Sequence, residues 1–85
     1  MINVKYRNGY PTKISLQQTI DTFFNDTFNK PHIGHSQGVL IWQRKGINER
    51  IEDFRAYLES LGVQVERCNL YESPRIGSIM LKKKV

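Results

Sequence analysis

The residues with the clearest capacity for chemistry are two histidines and a single cysteine. His32 and His35 form an H-x-x-H pair that could share a metal ion, and Cys68, the one thiol, lies far along the chain. A structural zinc site takes four protein ligands and a catalytic site usually takes three. Cys68 as a nucleophile would need a positioned base, which the sequence does not indicate. We therefore predict no metal, no cofactor and no catalytic residue, and we interpret the chain as a non-enzymatic protein.

The same histidines belong to the tetrapeptide HIGH at residues 32–35. It resembles the signature of the class I aminoacyl-tRNA synthetases and related nucleotidyl transferases, in which the two histidines help to hold ATP phosphates. That signature follows the first strand of a large nucleotide-binding domain and works with a lysine-rich KMSKS loop. Here a segment with helical periodicity precedes HIGH, and no stretch matches that loop. We interpret residues 31–37 as a connector.

Composition indicates one small globular domain. With 85 residues, 39% of them hydrophobic and 25% charged, the chain suffices for one modest core, so we expect a single domain over residues 1–85. No apolar run approaches the roughly 20 residues that span a bilayer. A single cysteine favours a reducing compartment. We expect a cytoplasmic location and no contact with a membrane.

The first segment alternates in the manner of a strand. Ile2, Val4 and Tyr6 share one face of residues 2–7, which predicts a half-buried strand. Asn-Gly at residues 8–9 is a strong tight-turn signal and favours a hairpin. Pro11 argues against a good second strand, so a loop is the preferred interpretation.

A first amphipathic helix follows that loop. Ser15 and Gln18 have the spacing of a capping box, in which each side chain satisfies a free amide at a helix start. Pro31 disfavours helical geometry in the residue before it, which predicts an end near Asn29. The apolar residues recur at helical spacing and are expected in the core; they are Leu16, Ile20, Phe23, Phe24 and Phe28.

The remaining elements are a central strand, a second helix and two final strands. The apolar run at residues 38–42 is typical of a central strand. Residues 47–61 carry a nearly ideal helical stripe that ends at Gly62. Strand alternation resumes at residues 63–66, with a bulge or strand end predicted near Arg67, a turn at residues 72–75 and a last strand at residues 76–85.

These elements predict an α+β fold of order β-α-β-α-β-β. Two amphipathic helices each need an apolar surface, and a four-stranded sheet with both helices on one face provides it. The two strand-helix-strand crossovers would be right-handed, and the last two strands would form a hairpin. The expected architecture is therefore a two-layer α/β sandwich with a mixed four-stranded sheet.

Charge is distributed unevenly over these elements. The chain carries a net charge of +5, and the two predicted helices hold six of its eight acidic residues but only two of its thirteen basic ones. The positive charge thus belongs to strands, loops and the C-terminal tail, where several separated cations suit a polyphosphate backbone. Trp42 lies on the same face of the predicted strand as Arg44 and, if exposed, would stack on a base or sugar. The candidate binding residues are Lys5, Arg7, Lys13, Trp42, Arg44, Lys45, Arg75, Lys82, Lys83 and Lys84.

The predicted layout resembles two nucleic-acid-binding families. These are Alba, the small archaeal chromatin and RNA-binding protein, and the C-terminal domain of bacterial translation initiation factor three. The matching segments are a strand that ends in basic residues, 39–46, and a last strand that ends in lysines, 79–84. Residues 9–13 correspond to Alba's lysine-containing loop, which would give Lys13 that role. The resemblance implies a nucleic-acid-binding function.

Two function classes stay open. The first is a non-enzymatic nucleic-acid-binding protein that uses a basic sheet and loop surface, with RNA and DNA both open. The second is a small protein-binding adaptor or inhibitor, for example from a phage or other mobile element, that acts on a host protein. Basic residues are common on exposed strands, where they keep edges from pairing, so charge alone does not separate the two. In either class a self-complementary sheet face or edge would produce a homodimer.

Overall fold

A computed structural model defines the fold and describes residues 2–25, 33–44, 46–71 and 75–84. It contains two helices and six strands within those ranges, and a 3-10 turn at Asn48–Arg50 leads into the second helix. The predicted α+β class is confirmed. The helices are α1 (Lys13–Phe23) and α2 (Ile51–Ser60), and the strands are β1 (Tyr6–Arg7), β2 (Tyr10–Pro11), β3 (Ile33–Ser36), β4 (Val39–Gln43), β5 (Val65–Leu70) and β6 (Ile76–Leu81).

The N-terminal segment forms a short hairpin of its own. β1 pairs antiparallel with β2, and the turn residues Asn8 and Gly9 have φ values of 55° and 87°. Two successive positive φ values match the tight turns that suit the twist of paired strands. The prediction of a loop after this turn is therefore wrong, because the residues that follow it form β2. Pro11 is tolerated because it ends a ladder of only two residue pairs, Tyr6 with Pro11 and Arg7 with Tyr10.

The main sheet has the order β3-β4-β6-β5, and all its pairs are antiparallel. The prediction of a mixed sheet is therefore wrong. The prediction that residues 2–7 form a strand of this sheet is also wrong, because their paired part, β1, lies in the N-terminal hairpin. Within the main sheet, the strand that the sequence analysis did not predict is β3, which lies in the expected connector. A turn at Gln37 and Gly38, with φ values of 25° and 82°, folds it back onto β4. Within the predicted first helix, Phe28 and the end near Asn29 lie outside the described residues.

α1 begins earlier than its predicted capping box. Thr12 is the N-cap, and its hydroxyl oxygen accepts a hydrogen bond of 3.2 Å from the Ser15 amide. Ser15 is thus the third helical residue instead of the cap, and Lys13 opens the helix instead of lying in the preceding loop. A Thr at this position satisfies one amide that would otherwise lack a partner at the helix start.

Both helices contribute to one buried cluster. It combines Leu16, Ile20 and Phe24 around α1 with Phe54 and Leu58 of α2. Alternate residues of β4 and β6 complete it, as the period of two along a strand requires; these are Leu40, Trp42, Ile79 and Leu81. The final hairpin, β5 with β6, and a bulge between Val65 and Arg67 are confirmed.

Candidate nucleic-acid interface

Six of the predicted cations lie around the N-terminal hairpin in two groups: Lys5, Arg7 and Lys13 line one groove, and the three C-terminal lysines line a second groove beside Tyr6 and Pro11. The C-terminal tail runs against the N-terminal hairpin, where the Lys84 amide donates a 2.7 Å hydrogen bond to the Gly9 carbonyl oxygen. The Lys84 ammonium lies 4.5 Å from the centroid of the Tyr6 ring, a cation–π contact. We call this region the basic end; it comprises Lys5, Arg7, Lys13, Lys82, Lys83 and Lys84.

Gly9 allows the tail to lie against the hairpin. A Cβ atom at this position would be 2.6 Å from the Lys83 Cγ and 3.0 Å from the Lys84 carbonyl oxygen. The Lys82 amide also donates a 2.9 Å hydrogen bond to the Gln64 carbonyl oxygen. The three lysines are therefore held by backbone contacts on both sides, which fixes where their charges emerge.

Of the six cations at the basic end, only Lys84 makes a cation–π contact among the described residues. All six are exposed, and among the described residues none of Lys5, Arg7, Lys13, Lys82 or Lys83 forms an ion pair. The basic residues in and just before α2, by contrast, contact other side chains of the domain. Arg55 lies 3.3 Å from the Glu59 carboxylate, and the Arg50 guanidinium lies 4.9 Å from the centroids of two phenylalanine rings. The basic end thus presents charge that is available to a partner.

A groove opens on one side of the basic end. It has a volume of about 780 Å³ and runs between the hairpin and the start of α1, with Lys5, Arg7 and Lys13 along its walls. No acidic side chain lines it in the described part of the chain. The Lys5 amide donates a 2.9 Å hydrogen bond to the buried Ser15 hydroxyl, which fixes the N-terminal segment against the helix. Three positive charges therefore border one concave surface.

Two further predicted cations lie at the opposite end of β6. The Arg44 amide donates a 2.6 Å hydrogen bond to the Arg75 carbonyl oxygen. Lys82 follows Arg75 by seven positions in an extended chain, which corresponds to about 23 Å. Lys45 lies outside the described residues. The predicted set is therefore divided, and Arg44 and Arg75 do not belong to the basic end.

Trp42 does not belong to the interface, which corrects its predicted stacking role. Its side chain is 1% exposed, and its indole N–H donates a 2.7 Å hydrogen bond to the Asn48 side-chain oxygen. The Asn48 amide in turn donates to the Ile76 carbonyl oxygen at 3.2 Å. Strand alternation turns Trp42 to the same side as Leu40, into the core, so its ring is unavailable to a base.

Of the residues suspected of chemistry, only Cys68 has a side chain that the structure describes. Among the described residues, no three histidine, cysteine or acidic side chains cluster in a way that would hold a metal ion. His32 lies outside those residues, and the backbone of His35 pairs with Leu40 in the sheet. Burial, followed by the nearby Glu52 carboxylate, raises the pKa of the Cys68 thiol, and Arg55 opposes the shift. A raised pKa disfavours the reactive thiolate.

Comparisons with known proteins identify no relative: the chain matches no protein-family model, no curated protein and no solved structure. Within the described ranges, neither helix is long and apolar enough to cross a bilayer. The site is therefore defined by the chain's own residues. Sequence reasoning missed the contact between tail and hairpin, for which the only sequence signal was the Asn-Gly turn at residues 8–9.

Proposed function

We propose that this protein is a non-enzymatic nucleic-acid-binding domain that contacts the phosphate backbone through its basic end. The observation that carries the proposal is the placement of six exposed lysine and arginine side chains around the N-terminal hairpin, in two groups of three. Several cations on one surface bind polyphosphates by releasing condensed counterions. The observed order of elements differs from the β-α-β-α-β-β layout on which the resemblance to Alba rested. The proposal is therefore supported by the basic surface and not by that resemblance.

Salt dependence of binding tests this function. We expect anisotropy titrations of a labelled single strand and of a duplex to show log–log slopes no steeper than about −4 and −5, respectively, for six phosphate contacts. Two double variants, Lys5→Gln with Lys13→Gln and Lys82→Gln with Lys83→Gln, each remove two contacts. Each should reduce the slope by about 1.4–1.8 and the affinity at about 0.1 M salt by about 25–60-fold.

A matched control removes the same charge elsewhere. Arg55 pairs with Glu59, and Arg67 is exposed on β5, outside the basic end. The Arg55→Gln/Arg67→Gln double variant should leave the slope nearly unchanged and change the affinity by less than about threefold, because only general attraction is lost. The proposal is refuted by a wild-type slope near zero, by no binding at low salt, or by equal losses in the control and in both test variants.

One observation favours the second candidate function, a protein-binding adaptor or inhibitor. The sheet side opposite the core exposes apolar residues, with Ile41 56% and Met80 37% accessible. Apolar side chains on an uncovered sheet are typical of protein-binding surfaces. A partner retained from host lysate after nuclease treatment, and lost in an Ile41→Asp variant, would favour this function over the first.

A further inference from the structure

The groove at the basic end combines charge with groups that can recognise a nucleobase. Besides Lys5, Arg7 and Lys13, its lining includes the exposed amide side chains of Asn3 and Gln18. Carboxamides carry both donors and acceptors, the pattern that base edges require. Phosphate binding alone would need only the cations. The lining therefore fits a whole nucleotide better than a bare phosphate.

Apolar surface in the same groove provides a place for the face of a base. Ile14 is 74% exposed in the first turn of α1 and lies next to Lys13 in the groove lining. Tyr10 also lines the groove, and its ring is fixed against Gly38, at which a Cβ atom would lie 2.5 Å from the ring carbons. Bases pack on aromatic and apolar side chains only when they are unstacked from a duplex.

The dimensions of the groove favour a flexible strand. Its volume of about 780 Å³ lies in the range of sites that enclose small ligands. A duplex is stiff over roughly 150 base pairs, so it would meet only the rim of a concavity on a domain of this size. A single strand bends locally and can place one base inside while its phosphates follow the rim.

We propose that this groove binds a nucleotide of single-stranded nucleic acid, with its base against Ile14 and its flanking phosphates against Lys5, Arg7 and Lys13. The inference rests on the proposed nucleic-acid-binding function and specifies its ligand. Single strands are then preferred over duplexes, and the apolar contact contributes to that preference independently of charge.

An uncharged substitution tests the proposal. Ile14→Ala removes the apolar contact, keeps the net charge and places a better helix former in α1. Ile41→Ala is the matched control, because Ile41 is 56% exposed but lies outside the groove. Affinities are measured by anisotropy with labelled mixed-sequence single-stranded RNA, single-stranded DNA and the DNA duplex.

We expect the wild type to bind single strands at least about tenfold more tightly than the duplex. Because it removes apolar surface that a bound base would bury, Ile14→Ala should weaken single-strand binding about five- to tenfold and leave duplex binding within about twofold, while Ile41→Ala changes neither. Equal affinity for single strands and duplex, or an Ile14→Ala variant with wild-type affinity, overturns the groove assignment but leaves the basic end as a phosphate-binding surface. No binding of any probe at low salt overturns both proposals.

Discussion

Gly77→Ala should destabilise the protein through a direct clash with Trp42. Gly77 lies opposite Trp42 in the pairing of β4 with β6, and a Cβ atom there would lie 2.7 Å from Cε2 and 2.8 Å from Nε1 of the indole. Ordinary contacts of this kind are about 3.5–4.0 Å. The ring must therefore move, although it is fully buried and hydrogen-bonded to Asn48 at 2.7 Å.

The cost follows from two contributions. Overpacking a core typically costs about 1–3 kcal/mol, and displacing the indole from Asn48 loses a hydrogen bond worth about 1 kcal/mol. We expect the free energy of unfolding to fall by about 2–4 kcal/mol in total. For a domain of this size, the midpoint of thermal unfolding should fall by roughly 10–25 °C.

Urea and thermal unfolding followed by far-ultraviolet circular dichroism measure this loss. Gly34→Ala is the matched control, because Gly34 is exposed on β3 and an added Cβ would meet only the Ile41 carbonyl oxygen at 3.7 Å. That variant should stay within about 0.5 kcal/mol of the wild type. A Gly77→Ala protein of wild-type stability, or an equal loss in both variants, would refute this account of Trp42 packing.

Two further outcomes follow from the burial of particular side chains. Emission from Trp42, the single tryptophan, should be blue-shifted in the folded protein and unchanged by saturating nucleic acid; quenching by bound bases would contradict its burial. Because burial raises the pKa of the Cys68 thiol, the thiolate is disfavoured at pH values up to and above the ordinary thiol pKa. Alkylation by iodoacetamide at about pH 8 should therefore be slower in the folded protein than in urea, and equal rates would show an accessible, unshifted thiol.

The elements that sequence predicted well are those whose pattern is set by burial alone. β4 is the predicted central strand and buries Leu40, and the stripe of α2 is buried at Ile51, Phe54 and Leu58. Side-chain periodicity specifies such elements directly. β3 was missed because Ile33 is its one apolar residue, which gives no alternating pattern, and the strand depends on pairing with β4 across the turn at Gly38.

The candidate site was predictable in its residue types but not in its arrangement. Segregation of charge correctly marked exposed lysines at both termini, because long cationic side chains rarely lie in a core. Whether distant segments meet depends on tertiary contacts, such as that between Gly9 and Lys84, which leave no periodic signal. Trp42 was misplaced because a residue in a strand can face either side, and tertiary packing, which buries Trp42 on the same side as Leu40, decides which.

The position of β6 also bears on how the chain folds. The last strand in sequence lies between β4 and β5, so the pairing of Leu40 with Ile79 must close a loop of about 40 residues. The hairpins β3–β4 and β5–β6 need only local closure and are expected to form first, with the docking of β4 on β6 as the later step. During synthesis, β5 therefore has no strand partner and β4 is paired only with β3 until β6 has been added, and the core closes only after that.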